Sequence, residues 1–307
     1  MKQRRLFIIA LAAIASMNVF AQQSIIVKDS ATQEPIAYTS VWFGNEAGGY
    51  TDESGRITIP EGTGRIRLSH ICYETRSISL ADISGRTVML VPKSVSLSEV
   101  SVSAKAPKRM KTVTAGLTRE KTQTGHRGTN GFEMALFIPY DSTWTQPPYI
   151  HAILASLDYA THWLTITTIK TPIRATLRFD LRRPDGLTGA PSDESLISGG
   201  IIVQPDQKVG KEGIRLTTPI PFPRTGVYVV MEWITTAAVS ESGSLIPALN
   251  MTLDTKENRT WNKKSFSGKD WMREQAEPIY REESARTFYK GRIPNAKLGL
   301  EITTKYK

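Results

Sequence analysis

Four histidines, one cysteine and scattered carboxylates are the residues that could do chemistry, and their spacing argues against it. A zinc peptidase needs ligands as close as His-x-x-Glu, so that two side chains reach one ion. His70 is followed by Glu74, one position too far, and His126 sits in a basic stretch. His151 and His162 have only Asp158 as a carboxylate between them. All four histidines are expected to be structural or surface residues. Asp52-Glu53 could touch calcium, but no EF-hand spacing accompanies them and a turn accounts for both. There is no Gly-x-Ser-x-Gly elbow, Walker loop or dinucleotide fingerprint. Cys72, within Ser69-His70-Ile71-Cys72-Tyr73, reads as a buried small hydrophobe rather than a reactive thiol. A single cysteine also rules out an internal disulfide. The expectation is a non-enzyme with no catalytic residue, metal ligand or cofactor.

Recognition is the remaining possibility. Pro139 to Tyr149 places Tyr140, Trp144 and Tyr149 on an apparent loop. Exposed aromatics on a β-sandwich can stack on sugar rings while polar neighbours fix the hydroxyls. The same rings could equally pack over the end of a sheet. Trp261 and Trp271, near Lys263, Lys264 and Lys269, form a second arrangement of this type.

Strands must position these residues. From Ser24 to Ala104, short alternating runs are separated by turn signals at Gly48-Gly49, Asp52-Glu53-Ser54-Gly55, Gly62 and Gly64. Ala37, Thr39, Val41 and Phe43 share one face, and no stretch keeps a helical period. Along this region come Ile26-Val27-Lys28-Asp29, Pro35-Ile36-Ala37-Tyr38-Thr39-Ser40-Val41, Tyr50-Thr51-Asp52-Glu53-Ser54-Gly55-Arg56-Ile57, Leu68-Ser69-His70-Ile71-Cys72-Tyr73 and Leu97-Ser98-Glu99-Val100-Ser101-Val102-Ser103-Ala104. This order resembles the carboxypeptidase regulatory-like domain, found in exported proteins of the Bacteroidetes. The resemblance implies a seven-strand, transthyretin-like sandwich that carries no catalysis itself. Cys72 stands where that family usually has glycine. Such domains also precede the plug of outer-membrane receptors, but a chain ending at Lys307 is expected to be too short for a receptor barrel. Asp29-Ser30-Ala31 and Asp141-Ser142-Thr143 match a short O-glycosylation pattern of the same bacteria, which would require exposed turns.

Residues 105–130, polar and glycine-punctuated, read as a basic linker or long ordered crossover. From Gly131 onward the pattern returns to strands, about eight to ten by the usual strand spacing, which suggests a larger jelly-roll-type sandwich. Phe132, Met134, Leu136 and Ile138 alternate. Further strands are expected at Trp163–Thr167, Ala175–Leu181, Gly200–Val203, Ile214–Leu216, Gly226–Ile234 and Leu249–Leu253, with a closing strand at Leu298–Ile302. One short helix is expected over Lys269–Ala276. The fold expectation is therefore all-β: a seven-strand sandwich over residues 22–104, then a jelly-roll-like sandwich over 131–307.

The chain opens with Lys2, Arg4 and Arg5, an apolar run from Leu6 to Ala15 and the small-residue end Val19-Phe20-Ala21. This is the order of a signal peptide, with the cut expected after Ala21. The apolar run is too short for a stable membrane anchor, and no later run is longer, so no transmembrane segment is expected after cleavage. The formal charge of +10 loses three positive charges with residues 1–21. From Lys105 to Arg127 seven basic residues face only Glu120, leaving the rest of the mature chain near balance. That local basicity implies contact with an anionic surface or a solvated tether, not nucleic-acid binding. The expected place is the periplasm or the cell surface and outer membrane. The expected partner is an envelope protein or a glycan.

Overall fold

The computed structural model describes residues 23–93, 111–158, 176–197, 199–203, 213–234, 246–253, 255, 257–274 and 292–304. Every regular element among them is a strand, apart from short 3-10 turns at Leu80–Asp82 and Ser84–Arg86.

The first sandwich holds β1 (Gln23–Asp29), β2 (Ser40–Gly44), β3 (Ala47–Tyr50), β4 (Arg56–Ile59), β5 (Arg65–His70), β6 (Tyr73–Ser79) and β7 (Thr87–Leu90). One sheet has the order β4-β1-β7 and the other β3-β2-β5-β6. Short strands packed as a small sandwich are what the alternation predicts, and seven is the number the resemblance implies. Ile25, Val27, Ile57, Ile59, Val88 and Leu90 of the first sheet meet Val41, Ile66 and Leu68 of the second in one core. Each such side chain adds about 1.5–3 kcal/mol by leaving water. The turn at Asp52 is self-contained. Its Oδ1 accepts the Ser54 N–H at 2.9 Å, the Ser54 hydroxyl at 2.7 Å and the Arg56 N–H at 2.9 Å. Gly55 follows at φ +72°, and a Cβ there would lie 2.6 Å from the Val27 carbonyl oxygen. Only glycine fits that close approach.

The second sandwich holds β8 (Lys111–Gly116), β9 (Thr124–His126), β10 (Phe132–Ile138), β11 (Tyr149–Ala155), β12 (Leu157–Asp158), β13 (Thr176–Pro184), β14 (Pro191–Ser195), β15 (Ile201–Val203), β16 (Ile214–Pro221), β17 (Val227–Ile234), β18 (Ala248–Thr252), β19 (Thr260–Lys264), β20 (Met272–Arg273), β21 (Asn295–Ala296) and β22 (Leu298–Thr304). A seven-stranded sheet has the order β14-β13-β17-β10-β19-β20, with β15 also on β13. Two four-stranded sheets complete the unit, β16-β11-β22-β8 and β12-β18-β21 with β9 on β18. The main core lies between these layers. Met134, Leu136, Phe179, Val229, Met231 and Trp233 come from the large sheet, and Ile150, Ile153, Leu300 and Ile302 from the opposing one.

Four expectations are corrected. The stretch 105–130 is not wholly a linker, because β8 pairs with β22 over six residues and β9 pairs with β18. Edge strands such as Lys111–Gly116 face water and so lack an apolar alternation. Tyr149 is not a loop residue but the first residue of β11. No helix forms over the described part of Lys269–Ala276; Met272–Arg273 pairs with β19 instead. The strands outnumber the eight to ten expected, since several are two- or three-residue pairings that leave no periodic signal. The closing strand expected at Leu298–Ile302 does form, as Leu298–Thr304, and it sits between β11 and β8. The proposed signal peptide, residues 94–110 and Trp163–Thr167 lie outside the described residues.

Candidate functional site

Strand alternation splits the seven-stranded sheet into an apolar inner face and a mixed outer one. On β10, β17 and β13 the residues between the core positions are Glu133, Glu232 and Arg178, and the ladder aligns them. Glu133 pairs with Glu232 on one side and Lys263 on the other, while Glu232 pairs with Arg178. One transverse row therefore reads Lys263, Glu133, Glu232, Arg178. Asp180 and Arg182 follow Arg178 along the outer face of β13.

This is the densest group of charge in the described residues, and it is nearly dry. Glu133, Asp180 and Glu232 are 6%, 2% and 2% exposed. Charges so placed persist only when paired and hydrogen-bonded. The Arg178 guanidinium gives both Nε, at 2.8 Å, and Nη2 to Glu232 Oε2. Arg182 Nε sits 2.8 Å from Asp180 Oδ2, and its Nη2 lies 3.6 Å from Glu133 Oε2. Asp180 also accepts the Leu181 N–H at 2.7 Å and the Ser195 hydroxyl. Burial alone would lower both guanidinium pKa values. For Arg178 the carboxylate of Glu232 leads the opposing charges, for Arg182 those of Glu133 and Asp180, and both bases end above their ordinary value.

The lid over this row comes from the other sandwich. The Tyr50 hydroxyl, at the end of β3, donates to Glu232 Oε1. Burial, then the charge of Glu232, raises this phenol well above its ordinary value, so it stays a donor. Beside it, Trp42 Nε1 donates to the Phe266 carbonyl at 3.0 Å. Tyr38, Tyr50, Ile234 and Phe266 form one shared cluster. The Phe266 ring is gripped between glycines of both sandwiches. A Cβ on Gly48 would fall 2.1 Å from its Cδ1, and a Cβ on Gly131 would fall 2.6 Å from its Cε2. His70, on β5, completes the seam. Burial first, then the positive charges of Arg178 and Lys93, lower its pKa to about 4, so its imidazole is neutral at pH 7. Cys72 lies against Gly199, where a Cβ would come 3.1 Å from its Sγ.

The predicted aromatic site has a different fate. Trp144 is 8% exposed and stacks edge-on against Phe222 at 5.1 Å and Tyr140 at 5.0 Å. Arg224 covers Tyr140 at 5.6 Å from the ring centre. Tyr140 and Trp144 are thus brought together over the sheet end, with the Trp144 ring packed inward instead of presented as a stacking face. Tyr149 is half-buried on β11. Trp261 and Trp271 fall in one packed cluster, but Trp261 is buried, with Arg273 lying 5.0 Å over its ring and Lys263 5.8 Å over Trp271. His126, partly buried, stacks at 4.7 Å on Phe132, which packs against the main core. Ser30 and Ser142 both lie on exposed turns. Among the described residues no group of three or more His, Cys, Asp or Glu could hold a metal ion.

The seam residues escaped the sequence reading, although a signal was present. Glu133 interrupts Phe132 and Met134, Arg178 and Asp180 flank Phe179, and Glu232 interrupts Met231 and Trp233. Charge at every second position normally marks a solvated face. Three neighbouring strands doing so with both signs of charge is the pattern that could have pointed to a covered one. No family model, curated protein or solved structure matches the chain.

Proposed function

We propose that the protein is a non-catalytic, exported cell-envelope protein that acts by binding or as a structural component of a surface assembly. The fused seam carries this reading. The most concentrated ionisable groups in the described residues are held by each other and by Tyr50, so their chemistry goes into fixing one sandwich on the other. Two sandwiches held together by such contacts suit a spacer or adaptor, because the contacts fix the position of one relative to the other. Residues 24–104, by their resemblance to carboxypeptidase regulatory-like domains, and the basic-then-apolar N-terminus support export and the envelope. No helix among the described residues is long and apolar enough to cross a membrane.

The test is photo-crosslinking in intact cells from position 187, whose leucine is 98% exposed on a turn locked by Asp185. A discrete adduct with an envelope protein supports the reading, as does a mature N-terminus at Gln22. Hydrolysis of a peptide or glycan by the purified protein, abolished by one carboxylate change, would overturn it. Glycan-array binding lost in a folded Trp144→Ala variant would favour the rival reading, a carbohydrate-binding protein using the loop around Trp144.

A further inference from the structure

We propose that Glu133 carries a proton when the two sandwiches are docked, and that its ionisation as pH rises loosens the seam. Hydrogen-bond bookkeeping leads there. The Ser265 Oγ lies 2.8 Å from Glu133 Oε1 and 3.1 Å from Glu232 Oε1, but one hydroxyl has one proton to give. With both carboxylates ionised, one buried oxygen faces the hydroxyl with no hydrogen between them. A proton on Glu133 completes the chain. Glu133 donates to Ser265 Oγ, Ser265 donates to Glu232 Oε1, and Tyr50 donates to that same oxygen.

Charge balance gives the same answer. Three buried carboxyl groups, Glu133, Asp180 and Glu232, meet two guanidinium groups, Arg178 and Arg182. Lys263 stands beside Glu133 in the ladder, yet among the described residues it makes no ion pair and its amine lies over the Trp271 ring. Lys263 acts on Glu133 only as a charge at a distance, so among the five groups in direct ion-pair contact one proton gives neutrality. It belongs on the least compensated acid. Glu232 has two nitrogens of Arg178, and Asp180 has Arg182 at 2.8 Å with a backbone N–H, whereas Glu133 has Arg182 only at 3.6 Å. Burial first, then the neighbouring charge of Glu232, also push its pKa up, against Arg182, Lys263 and Ser265.

The sign follows. An acid whose docked pKa is raised binds its proton more tightly docked than free, so docking weakens as pH climbs from the ordinary glutamate range through the raised value. Tyr50, which stays protonated, also feels the charge of Glu133, and His70, next to Arg178 rather than Glu133, charges only on the acid side. This goes beyond the proposed envelope role and does not depend on it.

Side-chain carboxyl 13C NMR of the full chain, with thermal unfolding across pH, tests the idea. The expected result is a Glu133 carboxyl titrating above the ordinary glutamate range, and a melting temperature that falls through the same pH window. Glu133→Gln, a mimic of the protonated form, should remove that fall. Titration of Glu133 at or below the ordinary range overturns the proposal, as does an unchanged pH slope in a folded Glu133→Gln. If that variant does not fold, the wild-type titration decides alone.

Discussion

Replacing Gly48 by alanine should undo the seam without disturbing either sandwich. Gly48 lies on the edge strand β3 and does not use the left-handed backbone region, so alanine costs nothing locally. The added Cβ, however, would sit 2.1, 2.5 and 2.6 Å from three carbons of the Phe266 ring. The ring cannot retreat, because its opposite edge rests on Gly131, where a Cβ would fall 2.6 Å from it. Overpacking a tight site costs about 1–3 kcal/mol, and expelling a buried phenylalanine costs about 3–5 kcal/mol. The expected loss is about 3 kcal/mol, roughly a hundredfold in the ratio of docked to undocked protein. The assay is a double-mutant cycle on thermal or denaturant unfolding. Phe266→Ala removes the ring, so Gly48→Ala added to it should cost almost nothing further. Additive losses, or an unchanged Gly48→Ala protein, would refute the clamp.

Other outcomes follow from the same geometry. Tyr50→Phe keeps the ring but deprives Glu232 of a donor, and should lower stability by about 1–3 kcal/mol in denaturant unfolding. His70, depressed to about 4 from 6.5, contributes stability that is fully present above pH 6.5 and lost as pH falls towards 4. The loss reaches about 3 kcal/mol at most, and His70→Gln should flatten this acid limb in a pH series of unfolding curves. Trp144→Ala should lower the melting temperature by emptying the Tyr140–Phe222 contact, at about 3–5 kcal/mol; a protein of unchanged stability would mean that the ring is not core.

The sequence by itself determined the class of the fold and much of its first half. Period-two alternation sends Ile25, Val27, Ile66 and Leu68 to one side whatever their partners, so two apolar-faced sheets must meet. The Asp52–Gly55 turn was equally legible, because every bond that closes it lies within five residues. In the second half, alternation found Phe132–Ile138 and Val227–Ile234, whose inner faces are apolar throughout. It missed Lys111–Gly116, a polar edge strand defined only by its pairing with β22. It also placed Tyr149 in a loop, although the apolar run after it is a strand beginning at that residue. Which aromatics face water, and which charges do not, was decided by tertiary structure alone. Trp144 is buried because Phe222, distant in sequence, closes over it. Glu133, Arg178 and Glu232 look like a solvated face from alternation, and only the arrival of Tyr50, 182 positions from its acceptor, makes that face an interior. Local periodicity reports which side of a strand a residue occupies. Whether that side meets water or another layer depends on non-local packing, which one strand's pattern does not encode.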